Sequence, residues 1–263
     1  ITHLNKFLDV IQGGPHQFVM ENLLRFPQKK AAASAYGSAM HRAIDHLLLE
    51  YKVTQQLPKV DFLLHEFEAA LMNERLNAKD FAERLERGRE HLALYYEKRH
   101  HDFSMDDKSE FNFSNQNVLV GSAEITGKID KMRIDPAKRE IVIYDYKTGK
   151  GFYTWEAHAD YDQRKLWTYK NQLLFYKLLV ENSREFKGKY TVNKGAIEFL
   201  DHTNKDILVL PLELKNEEVA MMAQLLQTIF SKNKKLEFPD ISGYEKSMYG
   251  IQSFTDDLLS GRT

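Results

Sequence analysis

The hydrophobic period of this chain first changes near residue 105, from helical to strand-like, and no other feature limits the fold as strongly. Before that point apolar residues recur three and four positions apart. Met40, Ala43, Ile44, Leu47 and Leu48 predict an amphipathic helix over 37–51, and Phe18, Val19, Leu23 and Leu24 predict a shorter one over 16–26, closed by Pro27. Phe62, Leu63, Phe67, Ala70 and Leu71 mark a third helix, and Phe81, Leu85, Leu92, Leu94, Tyr95 and Tyr96 a fourth. Beyond it, short segments rich in Val, Ile and Phe at 110–113, 118–125, 128–134 and 141–146 are separated by polar turns at 114–117 and 135–139. They predict a meander of antiparallel strands. A long helix is expected over 161–181, strands over 195–200 and 206–210, a last helix over 217–230, and a weakly patterned tail from Phe238.

Strands in the middle with helices before, between and after them predict an α/β or α+β fold with one mixed sheet. No stretch rich in Pro, Gly or Ser isolates residues 55–102, so they are expected to form a helical elaboration on a single domain spanning 1–263. The chain begins with Ile1, which suggests a piece of a longer polypeptide. No apolar run approaches the roughly 18 residues of a membrane span, and no signal-peptide pattern opens the chain, so a cytoplasmic location is expected.

Composition narrows the chemistry. Thirty-seven Lys plus Arg against 38 Asp plus Glu give a net charge of −1, which excludes a globally basic nucleic-acid coat protein. An anionic partner must be met by a local patch. The sequence has no Cys, so disulfides, cysteine nucleophiles, thiolate zinc sites and cysteine-ligated clusters are excluded together. Oxygen and imidazole ligands remain.

The densest polar constellation is Gly127-Lys128-Ile129-Asp130 followed by Asp145-Tyr146-Lys147-Thr148-Gly149. Residues two apart on a strand share a face, so Asp145 and Lys147 project together, and Asp130 on the preceding strand comes alongside. Two adjacent carboxylates raise one another's pKa unless a cation lies between them. Mg²⁺, which takes one or two protein carboxylates and leaves its other positions to water and phosphate oxygens, suits that demand. Lys147 is then placed to orient or help deprotonate an attacking water and to offset charge in phosphodiester hydrolysis. An acid-x-Lys pattern also occurs at 106–108, 185–187 and 213–215, and a plain cross-strand ion pair between Asp130 and Lys147 accounts for the spacing equally well.

Four motifs occur in order: Gly37-Ser38-Ala39-Met40-His41, Gly127-Lys128-Ile129-Asp130, Asp145-Tyr146-Lys147-Thr148-Gly149 and Gln172-Leu173-Leu174-Phe175-Tyr176. Together they resemble the RecB-like nucleases, a branch of the PD-(D/E)XK superfamily, over about residues 37–176, and residues 4–27 resemble the family's amino-terminal helix. The resemblance implies a restriction-endonuclease-like fold, with a central mixed β-sheet flanked by α-helices. It implies His41, Asp130, Asp145 and the main-chain carbonyl of Tyr146 as ligands of Mg²⁺ or Mn²⁺, and Lys147 as the catalytic lysine. An imidazole beside carboxylates suits Mn²⁺ somewhat better. Gln172 and Tyr176, four apart on one helix face, match the family's Gln-x-x-x-Tyr pair and are expected to meet DNA phosphates or to brace Lys147.

By the same resemblance the expected activity is metal-dependent hydrolysis of DNA, single-stranded or at ends, beside a helicase domain in repair or recombination. The alternative is a catalytically silent module of the same fold that binds DNA or protein. Many relatives carry an iron–sulfur cluster on four cysteines. Here Gly14 precedes Pro15 and the tail has no cysteine, so no cluster is expected and packing must join the two ends.

Weaker signals complete the reading. Glu110, on a strand ahead of the motifs, is expected beside the ligands or paired with a nearby lysine. Phe152, Tyr153, Trp155, Tyr161 and Trp167 with the basic run Lys232 to Lys235 are candidates for stacking and steering a single strand, or for ordinary core and surface. Lys98-Arg99-His100-His101 reads as a solvated helix end.

Overall fold

Residues 140–147 set the frame. Alternate strand residues face opposite sides, and here both sides are buried: Ile141 and Ile143 on one, Tyr144 and Tyr146 on the other. Such a strand needs neighbours on both edges and a layer on each face.

The computed structural model describes residues 1–26, 32–201 and 206–263 and supplies both. Its helices are α1 (Thr2–Leu8), α2 (Gly14–Phe18), α3 (Ala32–Thr54), α4 (Val60–Asn73), α5 (Ala78–Arg99), α6 (Asp160–Asn182), α7 (Asn216–Lys235) and α8 (Met248–Ser260). Its strands are β1 (Lys108–Asn112), β2 (Leu119–Val120), β3 (Ala123–Glu124), β4 (Lys128–Asp135), β5 (Glu140–Lys147), β6 (Thr191–Phe199) and β7 (Leu208–Glu213). The main sheet has the order β1-β4-β5-β6-β7. Only β5 and β6 run parallel, and α6 provides the crossover that a parallel pair requires. This is the mixed sheet between helices expected of a restriction-endonuclease-like fold.

Each face of the sheet has its own core. On one side α1, α6, α7 and α8 bring Phe7, Leu173, Leu179, Met222 and Phe254 onto Ile141 and Ile143. On the other, α3, α4 and α5 gather Met40, Ile44, Leu47, Phe67, Leu92 and Tyr95 around Tyr146 and Leu200. The helices α4 and α5 fill the stretch expected as a helical elaboration. They pack so closely that a β-carbon at Gly88 would overlap the Phe67 ring. Buried charges fasten α5 to the end of β6. Arg99 donates to Glu198 at 2.6 Å, and Asp201 accepts from Arg87 at 2.6 Å and meets His91 Nδ1 at 2.7 Å. Among the described residues no helix is long and apolar enough to cross a membrane.

Three local readings differ. The stretch 118–125 folds as the small hairpin β2/β3, because Gly121, at φ 59°, turns the chain between two-residue strands. The helix expected over 16–26 is the short α2 continued by a π-helical turn at Val19–Leu23, and Pro27 lies outside the described residues. The tail holds a full helix, α8, with Ser247 capping its start, Gly261 in the left-handed conformation after its end, and Met248, Ile251, Phe254 and Leu258 buried.

Candidate active site

The paired stretch of β4 and β5 ends at Lys131 and Tyr144, while β5 continues against β6 as far as Lys147. Asp130 and Asp145 lie just beyond the last β4/β5 pair. The main-chain N–H of Tyr146 bridges the gap by donating to Oδ2 of Asp130 at 2.8 Å.

Helix α3 closes the opening. Ser34, Gly37, Ser38 and His41 recur at helical spacing and line one cavity of about 620 Å³ with Glu110, Lys128, Asp130, Tyr146 and Lys147. Close approach explains Gly37, since a β-carbon there would stand 3.1 Å from Oγ1 of Thr148. The His41 ring meets Tyr146 edge to face, with centroids 5.7 Å apart. Its Nδ1 lies 3.4 Å from Oδ1 of Asp130 and 3.4 Å from Oε1 of Glu110.

Glu110 stands opposite Asp130, between the Ser109/Lys131 and Phe111/Ile129 pairs of β1 and β4. Its φ of 45° is left-handed, a conformation that costs a non-glycine residue about 1–3 kcal/mol and persists where surrounding contacts enforce it. Here those contacts are His41 on one oxygen and the Lys128 ammonium on the other. Glu110, expected beside the proposed ligands or paired with a nearby lysine, makes both contacts: one oxygen meets His41 and the other Lys128.

The second half of the site is a closed ring. Lys147 Nζ donates to Oε1 of Gln172 at 2.9 Å, and Gln172 Nε2 donates to the Tyr176 hydroxyl at 2.7 Å. That hydroxyl donates to Oδ1 of Asp145 at 3.0 Å. Oδ2 of Asp145 returns to Lys147 at 2.5 Å, in ionic contact without hydrogen-bond alignment. Gln172 and Tyr176 therefore stand on Lys147 and Asp145, and Tyr176 is buried.

The two aspartates are driven apart electrostatically. Burial raises both, but His41 and the Tyr146 N–H outweigh it at Asp130 and hold that carboxyl below its ordinary pKa. At Asp145 burial prevails over Lys147, with Asp130 adding to it, and the pKa rises to about 6. Burial alone would discharge His41, yet Asp130, Glu110 and Asp145 raise its pKa to about 10. Lys147 likewise stays charged, because Asp145 and Asp130 overcome its burial.

Nδ1 of His41 and one oxygen each of Glu110 and Asp130 fall within 4.8 Å of one another. One imidazole and two carboxylates are a donor set for a divalent ion of the Mg²⁺ or Mn²⁺ class. Such an ion would displace the imidazolium proton that now balances the carboxylates. Asp145 adjoins this group with its oxygens turned to Tyr176 and Lys147.

Other sequence candidates are scattered. Phe152 is buried, Trp155 donates to the Pro211 carbonyl, and Trp167 packs against the core, whereas Tyr153 and Tyr161 are exposed. Lys232 is tied to the Thr263 carbonyl, and His100 stacks on Tyr96.

In comparisons with known proteins, the family described as the PD-(D/E)XK nuclease superfamily matches residues 7–243. No individual curated protein matches the sequence. The matched region contains every residue of the cavity and of the ring described above, and the chain belongs to the PD-(D/E)XK nuclease superfamily, whose members are typically metal-dependent nucleases.

Proposed function

We propose that this protein is a divalent-metal-dependent deoxyribonuclease of the RecB-like branch, working with a helicase domain in DNA repair or recombination. The observation that carries the reading is the junction of two groups at one sheet opening. His41, Glu110 and Asp130 form an oxygen and imidazole donor set, and Lys147 is fixed next to it by Asp145 and Gln172. The ordered motifs at 37–41, 127–130, 145–149 and 172–176 support the branch and, with it, the DNA substrate.

In this reading His41, Glu110 and Asp130 would hold Mg²⁺ or Mn²⁺, with Asp145 and the Tyr146 carbonyl as further ligands. Such an ion supplies Lewis-acid polarisation of the phosphate and a more acidic bound water. The protein's own groups do the rest. The Tyr146 N–H fixes one oxygen of Asp130 and so leaves the other facing His41. Lys147, whose proton is held by two carboxylates, acts as a cation: it orients the attacking water and offsets negative charge as the P–O bond to the leaving group breaks. Gln172 and Tyr176 keep it aimed.

Cleavage of single-stranded, double-stranded and circular DNA in Mg²⁺, Mn²⁺ or EDTA tests this. The reading requires cleavage only with a divalent ion and its loss in Asp145→Ala and Lys147→Ala. Cleavage in EDTA, or retained by either variant, contradicts it. DNA binding with no cleavage under any condition points to a silent module.

A further inference from the structure

The outward face of α6 carries aromatic and cationic side chains at helical spacing. Tyr161, Lys165, Thr168, Tyr169 and Gln172 follow at steps of one, three or four residues and form one stripe. The stripe starts at the candidate active site, where Lys147 donates to Gln172 and stands 5.1 Å from the Tyr169 ring centroid. Further out, the Lys165 ammonium lies 4.5 Å from the Tyr161 centroid and the Arg164 guanidinium 6.0 Å from it. Tyr169 sits between the two ends, close enough to Lys147 and Lys165 for both to oppose the upward push of burial on its hydroxyl pKa.

The stripe borders a trough. A depression of about 380 Å³ lies between Tyr161, Lys165 and Tyr169 and the turn Val10–Gln12. A second, of about 250 Å³, reaches Gln172, and Asp9, Gln12 and Thr168 line both. Arg164 fixes the outer wall by pairing with Asp9 at 3.3 Å. From Tyr161 to Gln172 the helix advances about 16 Å, room for about five nucleotides at the roughly 3.4 Å rise of a stacked strand.

Tyr161 is 59% exposed, and the Lys165 and Arg164 side chains that now lie over its ring are long-stemmed cations that a stacking base can displace toward its own phosphates. One exposed tyrosine flanked by cations, with the half-buried Tyr169 further along the same narrow trough, suits an unpaired base and a phosphate backbone together. A duplex hides its base faces and gains nothing from Tyr161. We propose that this face of α6 is the track by which a single-stranded nucleic acid reaches Lys147, with a base stacked on Tyr161 and phosphates beside Lys165. The track rests on the nuclease reading for what happens at Lys147; the binding itself does not require cleavage.

Fluorescence anisotropy with the full chain in EDTA tests the track, using labelled oligo-dT and oligo-U of about 15 nucleotides and a blunt DNA duplex. Tyr161→Ala is expected to weaken single-strand binding by about tenfold or more, and Tyr161→Phe to restore it. Lys165→Ala should flatten the slope of log affinity against log salt by about 0.7. Tighter retention of oligo-dT assigns DNA and of oligo-U assigns RNA, and either keeps the track. Three results overturn it: no single-strand binding by the wild type, wild-type binding by the Tyr161→Ala, Lys165→Ala double variant, or equal losses for duplex and single strand. A protein that binds in the expected pattern but cleaves nothing loses the nuclease reading and keeps the track. One that cleaves DNA while Tyr161→Ala binds normally loses the track alone.

Discussion

The hydroxyl of Tyr176 donates to Oδ1 of Asp145 at 3.0 Å, joining the middle of α6 to the end of β5 at the one carboxylate of the site that is wholly buried. Because the same hydroxyl accepts from Gln172, which in turn holds Lys147, one phenol fixes both the acid and the lysine. Tyr176→Phe leaves a buried carboxylate short of a donor, and such a loss costs about 1–3 kcal/mol. Urea denaturation should show that destabilisation, with kcat reduced more than KM is raised.

Lys147→Ala should lower kcat about a thousandfold, the order expected when a cation aimed at developing charge is removed. Mn²⁺ binding should persist, because the His41, Glu110 and Asp130 donors stay in place. Lys147→Arg should not rescue activity, since a planar guanidinium cannot reproduce a compact ammonium held between Asp145 and Gln172. Steady-state cleavage and calorimetry on the same preparations separate the two effects.

Acid should loosen the packing of α5 on the sheet. Burial alone would raise Asp201, but His91, Arg87 and Tyr36 outweigh it and hold the carboxyl below its ordinary pKa. A depressed folded-state pKa contributes stability above the ordinary carboxylate range, and that stability is lost as pH falls through the folded value. Asp201→Asn should therefore have a lower Tm than the wild type near pH 7, with the gap narrowing toward about pH 3. Thermal melts across that range check the sign.

Gly88→Ala should destabilise the protein by about 1–3 kcal/mol through overpacking, since Phe67 is fully buried and lies where the added methyl would go. The urea midpoint should fall while its m-value holds.

The change between helical spacing and short β-branched runs was enough to read the order of helices and strands, because Met40 to Leu48 keep the helical spacing without interruption and Ile141 to Ile143 are a short β-branched run bounded by polar turns. Helix α8 escaped because its four core residues follow ten turn-prone positions that mask where the helical period resumes. The place of Glu110 depends on register. Strands β1 and β4 are joined through a long connection holding its own hairpin, so no turn type fixes which residue faces Asp130. The ring through Gln172 and Tyr176 required knowing that α6 lies over the end of β5. Sequence spacing put those two residues on one helix face but left open what that face meets.

Calorimetric titration of Mn²⁺ into the wild type and into Asp130→Asn, His41→Ala and Glu110→Gln examines the donor set itself, apart from any nucleic acid. The arrangement predicts saturable binding by the wild type and affinity at least about tenfold weaker in each variant. Undiminished binding when Asp130 is replaced would contradict it.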